Sequence, residues 1–210
     1  MSSVFSSKKV KEKLIIFTRY PEAGKTKTRL IPVLGKEGAV TLHRQLTEGV
    51  ILQAKELQNL DISLEVHFTG GTKKLMEEWL GGEIFYAEQA MGDLGIKMSA
   101  AFENSFNSGM EKVVIVGSDC PDLNSQLMGL AFAELEGCDL VFGPALDGGY
   151  YLIGMRKFVP EILRGINWGS GEVFAQTIAI AEELNLTFAN LLPLADIDRP
   201  EDLSILDFKY

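Results

Sequence analysis

Short apolar runs rich in β-branched residues alternate along this chain with stretches whose apolar positions fall three and four residues apart, and that alternation constrains the fold more than any single motif does. The first run, Leu14-Ile15-Ile16-Phe17-Thr18, is closed by a stretch containing Pro and Gly. From about Lys36 to Leu60, the positions Val40, Leu42, Leu46, Val50, Ile51, Ala54 and Leu57 recur mostly at helical steps and predict an amphipathic helix. A strand over 62–68, a short helix over 72–80, a strand over 83–87 and a helix over 93–107 lead into the run Lys112-Val113-Val114-Ile115-Val116. Beyond it, Asn124 or Ser125 can cap a helix reaching Glu136, and 139–144 and 150–155 read as partnered strands. Ser170 can cap a helix over 171–184, a strand follows near 187–192, and Pro200 suits the first position of a last helix. The order implies an α/β fold, a three-layer α/β/α sandwich around a Rossmann-like, mostly parallel (mixed) sheet.

The 210 residues suit one domain over 13–210 behind a Ser- and Lys-rich flexible tail over 1–12, long enough to bury roughly 70% of the extended-chain surface. Met1–Lys13 lacks the apolar core of a signal peptide, and no run reaches the eighteen or so apolar residues of a membrane span, so the expected location is cytoplasmic. Cys120 and Cys138 could form at most one disulfide, and neither belongs to a zinc-type cluster. A formal charge of −9 argues against nucleic-acid and anionic-membrane partners, both of which need a basic surface. The exception is local, because Arg19, Lys25, Lys27 and Arg29 surround a single acid, Glu22. That segment can receive an anion.

Two acidic segments follow apolar runs about eighty residues apart, Gly117-Ser118-Asp119-Cys120-Pro121-Asp122 and Asp196-Ile197-Asp198-Arg199-Pro200-Glu201-Asp202. Asp119 follows the run 112–116, and ligands of an open α/β sheet bind beyond the carboxyl ends of its strands. Mg²⁺ or Mn²⁺ needs only one or two carboxylates when phosphates complete its shell, so Asp119, Asp196 and Asp198 together make a split metal site. Asp198 also fits a capping box with Glu201, an alternative that does not account for Asp196 two residues earlier.

The first loop contains Gly24-Lys25-Thr26, yet Arg19 stands where a phosphate-binding loop needs its second glycine. A Gly-containing turn flanked by Lys27 and Arg29 can still surround a diphosphate. Asp147-Gly148-Gly149 reads either as a hairpin turn or as a site where glycines admit a substrate while Asp147 accepts hydroxyls or acts as a base. Gln89 and Gly92 join a strand to a helix, where Gln89 could read a nucleobase edge, and Trp168 could stack on a substrate or anchor its loop. His43 and His67 read as structural.

Taken in order, T-R-Y-P-E-A-G-K-T-K-T-R-L, G-D-L-G-I-K-M, G-S-D-C-P-D-L, D-G-G-Y-Y-L-I-G, N-W-G-S-G-E-V and D-I-D-R-P-E-D-L span residues 18–203. As a set they resemble the glycosyltransferase-A-like superfamily of nucleotide-diphospho-sugar transferases, and more narrowly a bacterial glycosyltransferase family associated with radical-enzyme and arsenosugar biosynthesis gene sets. The resemblance implies that fold, with Asp119 matching the metal-binding Asp and the Asp198 region matching the second carboxylate. The leading expectation is transfer of a sugar from a nucleotide-diphosphate donor to a small-molecule acceptor, with Asp147 and Asp119 catalytic and Arg19, Gly24, Lys27, Arg29, Gln89, Gly92, Gly148, Gly149 and Trp168 holding the nucleotide sugar. The closing segment is similar to that of the molybdenum-cofactor and deazaflavin-cofactor guanylyltransferases, so nucleotidyl transfer with release of pyrophosphate is an alternative. A nucleotide-binding module without turnover is another. The first loop departs from the nucleotidyltransferase form, which is richer in Gly and carries Arg-Met before a Pro-Lys pair.

Overall fold

The computed structural model describes residues 11–207. The expected tail therefore lies outside the described residues apart from Lys11 and Glu12. Seven strands, β1 (Glu12–Arg19), β2 (Ile62–Thr69), β3 (Phe85–Glu88), β4 (Lys112–Gly117), β5 (Leu140–Pro144), β6 (Tyr150–Met155) and β7 (Phe188–Asn190), form one sheet in the order β3-β2-β1-β4-β6-β5-β7. β1 runs parallel to both β2 and β4, and β6 alone is antiparallel to its neighbours β4 and β5. A tight turn joins β5 to β6, which is why those two strands can oppose each other, whereas the parallel pairs need helical crossovers.

Successive strand residues point to opposite faces, and both faces are apolar because both are covered. Leu14, Ile16, Leu64, Val66, Val114 and Val116 pack under α1 (Ile31–Glu56), α2 (Lys73–Leu80) and α4 (Ser125–Glu134). Ile15, Phe17, Val113, Ile115, Phe142 and Ile153 pack under α3 (Leu94–Asn107) and α5 (Val173–Glu183). A third cluster, Leu30, Ala39, Leu42, Leu46 and Ile197, lies beneath the N-terminal half of α1.

The helix expected from Lys36 begins earlier, at Ile31, but breaks at Gly35 (φ 70°, ψ 172°), so the regular helical stretch starts where the periodicity does. Gly tolerates that left-handed φ and Pro32 suits the first turn. Asn124, rather than Ser125, caps α4, its Oδ1 accepting from Leu127 N at 3.0 Å. Ser170 does not cap α5, which starts at Val173 after Glu172; its hydroxyl accepts from Glu172 N at 3.3 Å in the preceding turn. The helix opened by Pro200 is a 3₁₀ turn over Pro200–Leu203 that passes into the short α6 (Ser204–Asp207). No helix among the described residues is long and apolar enough to cross a membrane.

Candidate active site

The chain leaves β1 for β2 and β3 on one side and returns through β4 on the other, so the strand order reverses between β1 and β4 and a crevice opens beyond their carboxyl ends. Asp119 stands two residues past β4 in that crevice. Its carbonyl oxygen accepts from Ile197 N at 3.0 Å, while Leu194 N donates to Pro144 O and Leu146 N to Leu194 O, both at 3.0 Å. These bonds tie the segment 194–198 to the ends of β4 and β5. Ile197 is wholly buried in the third cluster, and the aspartates on either side of it both line a cavity of about 490 Å³. Asp119, Asp147, Gly149, Trp168 and Arg29 line the same cavity, so the two acidic segments meet.

Capping does not occupy Asp198. Asp202 Oδ2 accepts from both Asp198 N, at 3.0 Å, and Arg199 N, at 2.7 Å, and thereby closes the 3₁₀ turn. The Asp198 carboxylate instead pairs with Arg29. Lys27, held at φ 44°, brings its ammonium to 2.8 Å from Asp119 Oδ1 and also donates to Ile197 O. The Lys27 side chain is only 4% exposed, and a buried ammonium persists because two oxygens surround it. Asp196 has no such cation among the described residues. Burial first, and then the neighbouring charges of Asp147 and Asp119, push its carboxyl up to about 6. The same surroundings push the buried Cys120 thiol up and leave it unreactive; Cys120 and Cys138 are both free.

Asp147 makes the turn bond foreseen as an alternative, its Oδ1 accepting from Gly149 N at 2.8 Å, while the residue stays exposed on the cavity wall. Gly148, at φ 90°, makes room for the backbone of Gly171. A Cβ there would lie 2.0 Å from the carbonyl oxygen of Gly171, and the Gly148 carbonyl accepts from Phe174 N at 2.9 Å in the first turn of α5. Trp168 meets Tyr150 edge to face at 6.3 Å on the cavity wall.

A smaller cavity of about 250 Å³ adjoins the first through Asp119 and Asp198 and is lined also by Arg19, Lys27 and Gln89. Gln89 Nε2 donates to His67 O at 3.0 Å and Thr18 O at 3.3 Å, bracing the ends of β1 and β2. His43 is buried with its Nε2 2.9 Å from Arg19 O, and burial lowers its basicity, so the ring is neutral and braces the end of β1. Gly24 and Gly92 line none of the described cavities. Sequence reasoning passed over Arg199, Tyr150 and Tyr151, which all line the larger cavity. They stand inside the D-G-G-Y-Y and D-I-D-R-P segments already singled out, where membership of the segment was the available signal.

Among the described residues, no three His, Cys, Asp or Glu side chains are grouped as a protein-only metal cage requires. What the cavity offers is carboxylate oxygens of excess negative charge, with a basic loop at their margin.

A protein from Desulfovibrio desulfuricans G20 described as a candidate nucleotide-diphospho-sugar transferase is 36% identical in sequence, with a TM-score of 0.86 over 92% of this chain and 85% of that one. The inositol-1-phosphate CTP transferase from T. maritima is 14% identical, with a TM-score of 0.58 over 92% of this chain and 91% of that one. Glucosyl-3-phosphoglycerate synthase from Mycobacterium tuberculosis, solved with Mn²⁺, uridine diphosphate and glucosyl-3-phosphoglycerate, is 14% identical, with a TM-score of 0.58 over 92% of this chain and 75% of that one. The latter two likenesses concern the fold. No curated protein matches the chain. The sheet with its single antiparallel strand is thus the nucleotide-diphospho-sugar transferase fold. A family model described as "Uncharacterized protein conserved in bacteria" matches residues 52–170, more than half of the sequence, and the chain accordingly belongs to this bacterial family, DUF2064.

Proposed function

We propose that the protein is a transferase acting on a nucleotide-diphospho-sugar, moving the glycosyl group to the hydroxyl of a small-molecule acceptor. The observation that carries this reading is the 3.0 Å bond from Ile197 N to Asp119 O, which brings two distant acidic segments onto one cavity at the switch point of the sheet. The description of the Desulfovibrio relative supports it, as does the nucleotide bound by glucosyl-3-phosphoglycerate synthase.

Asp196, whose carboxyl is pushed up to about 6, and Asp119, with one oxygen on Lys27, offer the hard oxygen donors that suit Mg²⁺ or Mn²⁺. Burial first, and then like-charged neighbours, raise Asp196, and a cation would relieve the crowding of charge. The bound ion would supply charge neutralisation of the diphosphate leaving group. The remaining work falls to this chain's own residues. Trp168 and Tyr150 wall the pocket that receives the sugar, and exposed Asp147 accepts the acceptor's proton. As the anomeric carbon forms its bond to the acceptor oxygen, the bond to the diphosphate oxygen breaks, and the leaving group departs as a nucleoside diphosphate.

Nucleotidyl transfer fits the first loop less well. Lys25 N and Thr26 N both donate to Glu22 O at 3.1 Å, and Glu22 N donates to Thr26 Oγ1 at 3.0 Å. The loop spends these amides on itself, whereas phosphate loops aim theirs at the ligand. A panel of nucleotide sugars with Mn²⁺ and candidate alcohols is expected to yield nucleoside diphosphate, at a rate that Asp119→Asn lowers by about a hundredfold or more. Pyrophosphate release from nucleoside triphosphates, with no turnover of any nucleotide sugar, would replace this reading with the nucleotidyl one.

A further inference from the structure

The basic residues around the site do not share one task, and the structure separates them. Lys27 was expected to hold phosphate, but its side chain is 4% exposed and committed to Asp119 Oδ1 and the Ile197 carbonyl. Releasing it would strand a buried carboxylate oxygen and remove a side-chain bridge that adds to the backbone bond between the two acidic segments. Arg29 is paired with Asp198, Lys25 with Glu22, and Arg19 donates to Lys25 O at 3.3 Å. Arg199 differs. It is exposed, it lines the larger cavity beside Asp196 and Asp198, and its guanidinium forms no ion pair among the described residues. Its backbone is held at the head of the 3₁₀ turn, because its N–H donates to Asp202 Oδ2 at 2.7 Å and its carbonyl accepts from Asp202 N at 3.0 Å. Among the described residues, then, its guanidinium has no carboxylate partner, and it stands on a fixed stem.

Resting on the nucleotide-sugar reading, we infer that Arg199 is the residue that grips the donor's diphosphate, and that Lys27 is a positioning residue that holds Asp119 against the 196–198 segment without touching phosphate. A guanidinium fork suits two phosphate oxygens at once, and an unpaired one does not have to give up a carboxylate first. In a cavity lined by five aspartates, Asp119, Asp147, Asp196, Asp198 and Asp202, an anion needs such a contact to remain.

Inorganic pyrophosphate with Mn²⁺ probes this without assuming a base or a sugar. By titration calorimetry, Arg199→Ala is expected to weaken pyrophosphate binding by about tenfold to a hundredfold, the loss associated with a charge-assisted hydrogen bond, with Mn²⁺ binding and the melting temperature of the free protein unchanged. Arg199→Lys is expected to recover part of that affinity, since a point charge replaces the fork. Lys27→Met should lower the melting temperature and weaken Mn²⁺ binding measured without any phosphate present. Pyrophosphate affinity equal to wild type in Arg199→Ala would overturn the assignment. So would a Lys27→Met protein that keeps its melting temperature and Mn²⁺ affinity yet loses pyrophosphate. Wild-type protein that binds neither Mn²⁺ nor Mn²⁺-pyrophosphate would instead remove the nucleotide-sugar reading, and this assignment with it.

Discussion

Asp196 is the residue on which the electrostatics of the cavity converge, since it is partly buried, crowded by Asp147 and Asp119, and without a cation partner among the described residues. Its carboxyl titrates near 6 in the folded chain against 3.8 ordinarily, so the folded state holds its proton more tightly than the unfolded one. A carboxylate raised in this way costs stability as pH climbs from about 4 to about 6, and the full cost is present at neutral pH. Asp196→Asn is therefore expected to stabilise the metal-free protein at pH 7 by about 1 kcal/mol, a shift of this size being worth more in a dry interior and less beside solvent. The gain should vanish near pH 4. Denaturant melts in the presence of a chelator at the two pH values check this, and an equal gain at both would show that the group is not held up by burial and its neighbours. At this scale the sequence carried the identity of the acids and the alternation Asp-Ile-Asp, with Ile197 buried and both aspartates on the cavity. It did not carry their counter-ions, because Lys27 and Arg29 reach partners 92 and 169 positions away.

The elements were legible where a periodic apolar pattern runs long, as in α1 and the four central strands, because burial of one face or two is a demand that each segment answers by itself. Their ends were less so. Ser170 has the right chemistry for a cap, but the first turn of α5 is held by Gly148, whose carbonyl comes from a different part of the chain. The edge strand β7 shows a further cross-chain dependence. Asp139, just before β5, accepts from Thr187 N at 3.0 Å and Thr187 Oγ1 at 2.8 Å, and pairs with Arg156 and Lys157 beyond β6. The Thr187 amide, chiefly, pulls its carboxyl down to about 2, so the bond contributes fully above the ordinary 3.8 and is lost as pH falls toward 2. Asp139→Asn is expected to cost about 1–3 kcal/mol at pH 7 and much less at pH 2, read from urea midpoints at the two pH values. A pH-independent loss would mean that the contact is steric rather than ionic.

For the molecule as a whole, a site assembled from three parts of the chain should report its ligand through global stability. A nucleoside diphosphate with Mn²⁺ at about a hundred times its dissociation constant should add about 2.7 kcal/mol to the folded state, seen as a rise in melting temperature that a chelator reverses. No shift with any nucleotide, with or without metal, would exclude a nucleotide-dependent role for this cavity. From its residues alone the chain declared strands and helices in alternation, a covered sheet with two apolar faces, and acids placed just past strand ends, because periodicity and propensity act over a few neighbours. Tertiary structure alone decided which acid caps the 3₁₀ turn, which cations the acids consume and that Arg199 meets no carboxylate partner among the described residues, because pairing between side chains far apart in sequence follows from the order in which the strands are laid side by side.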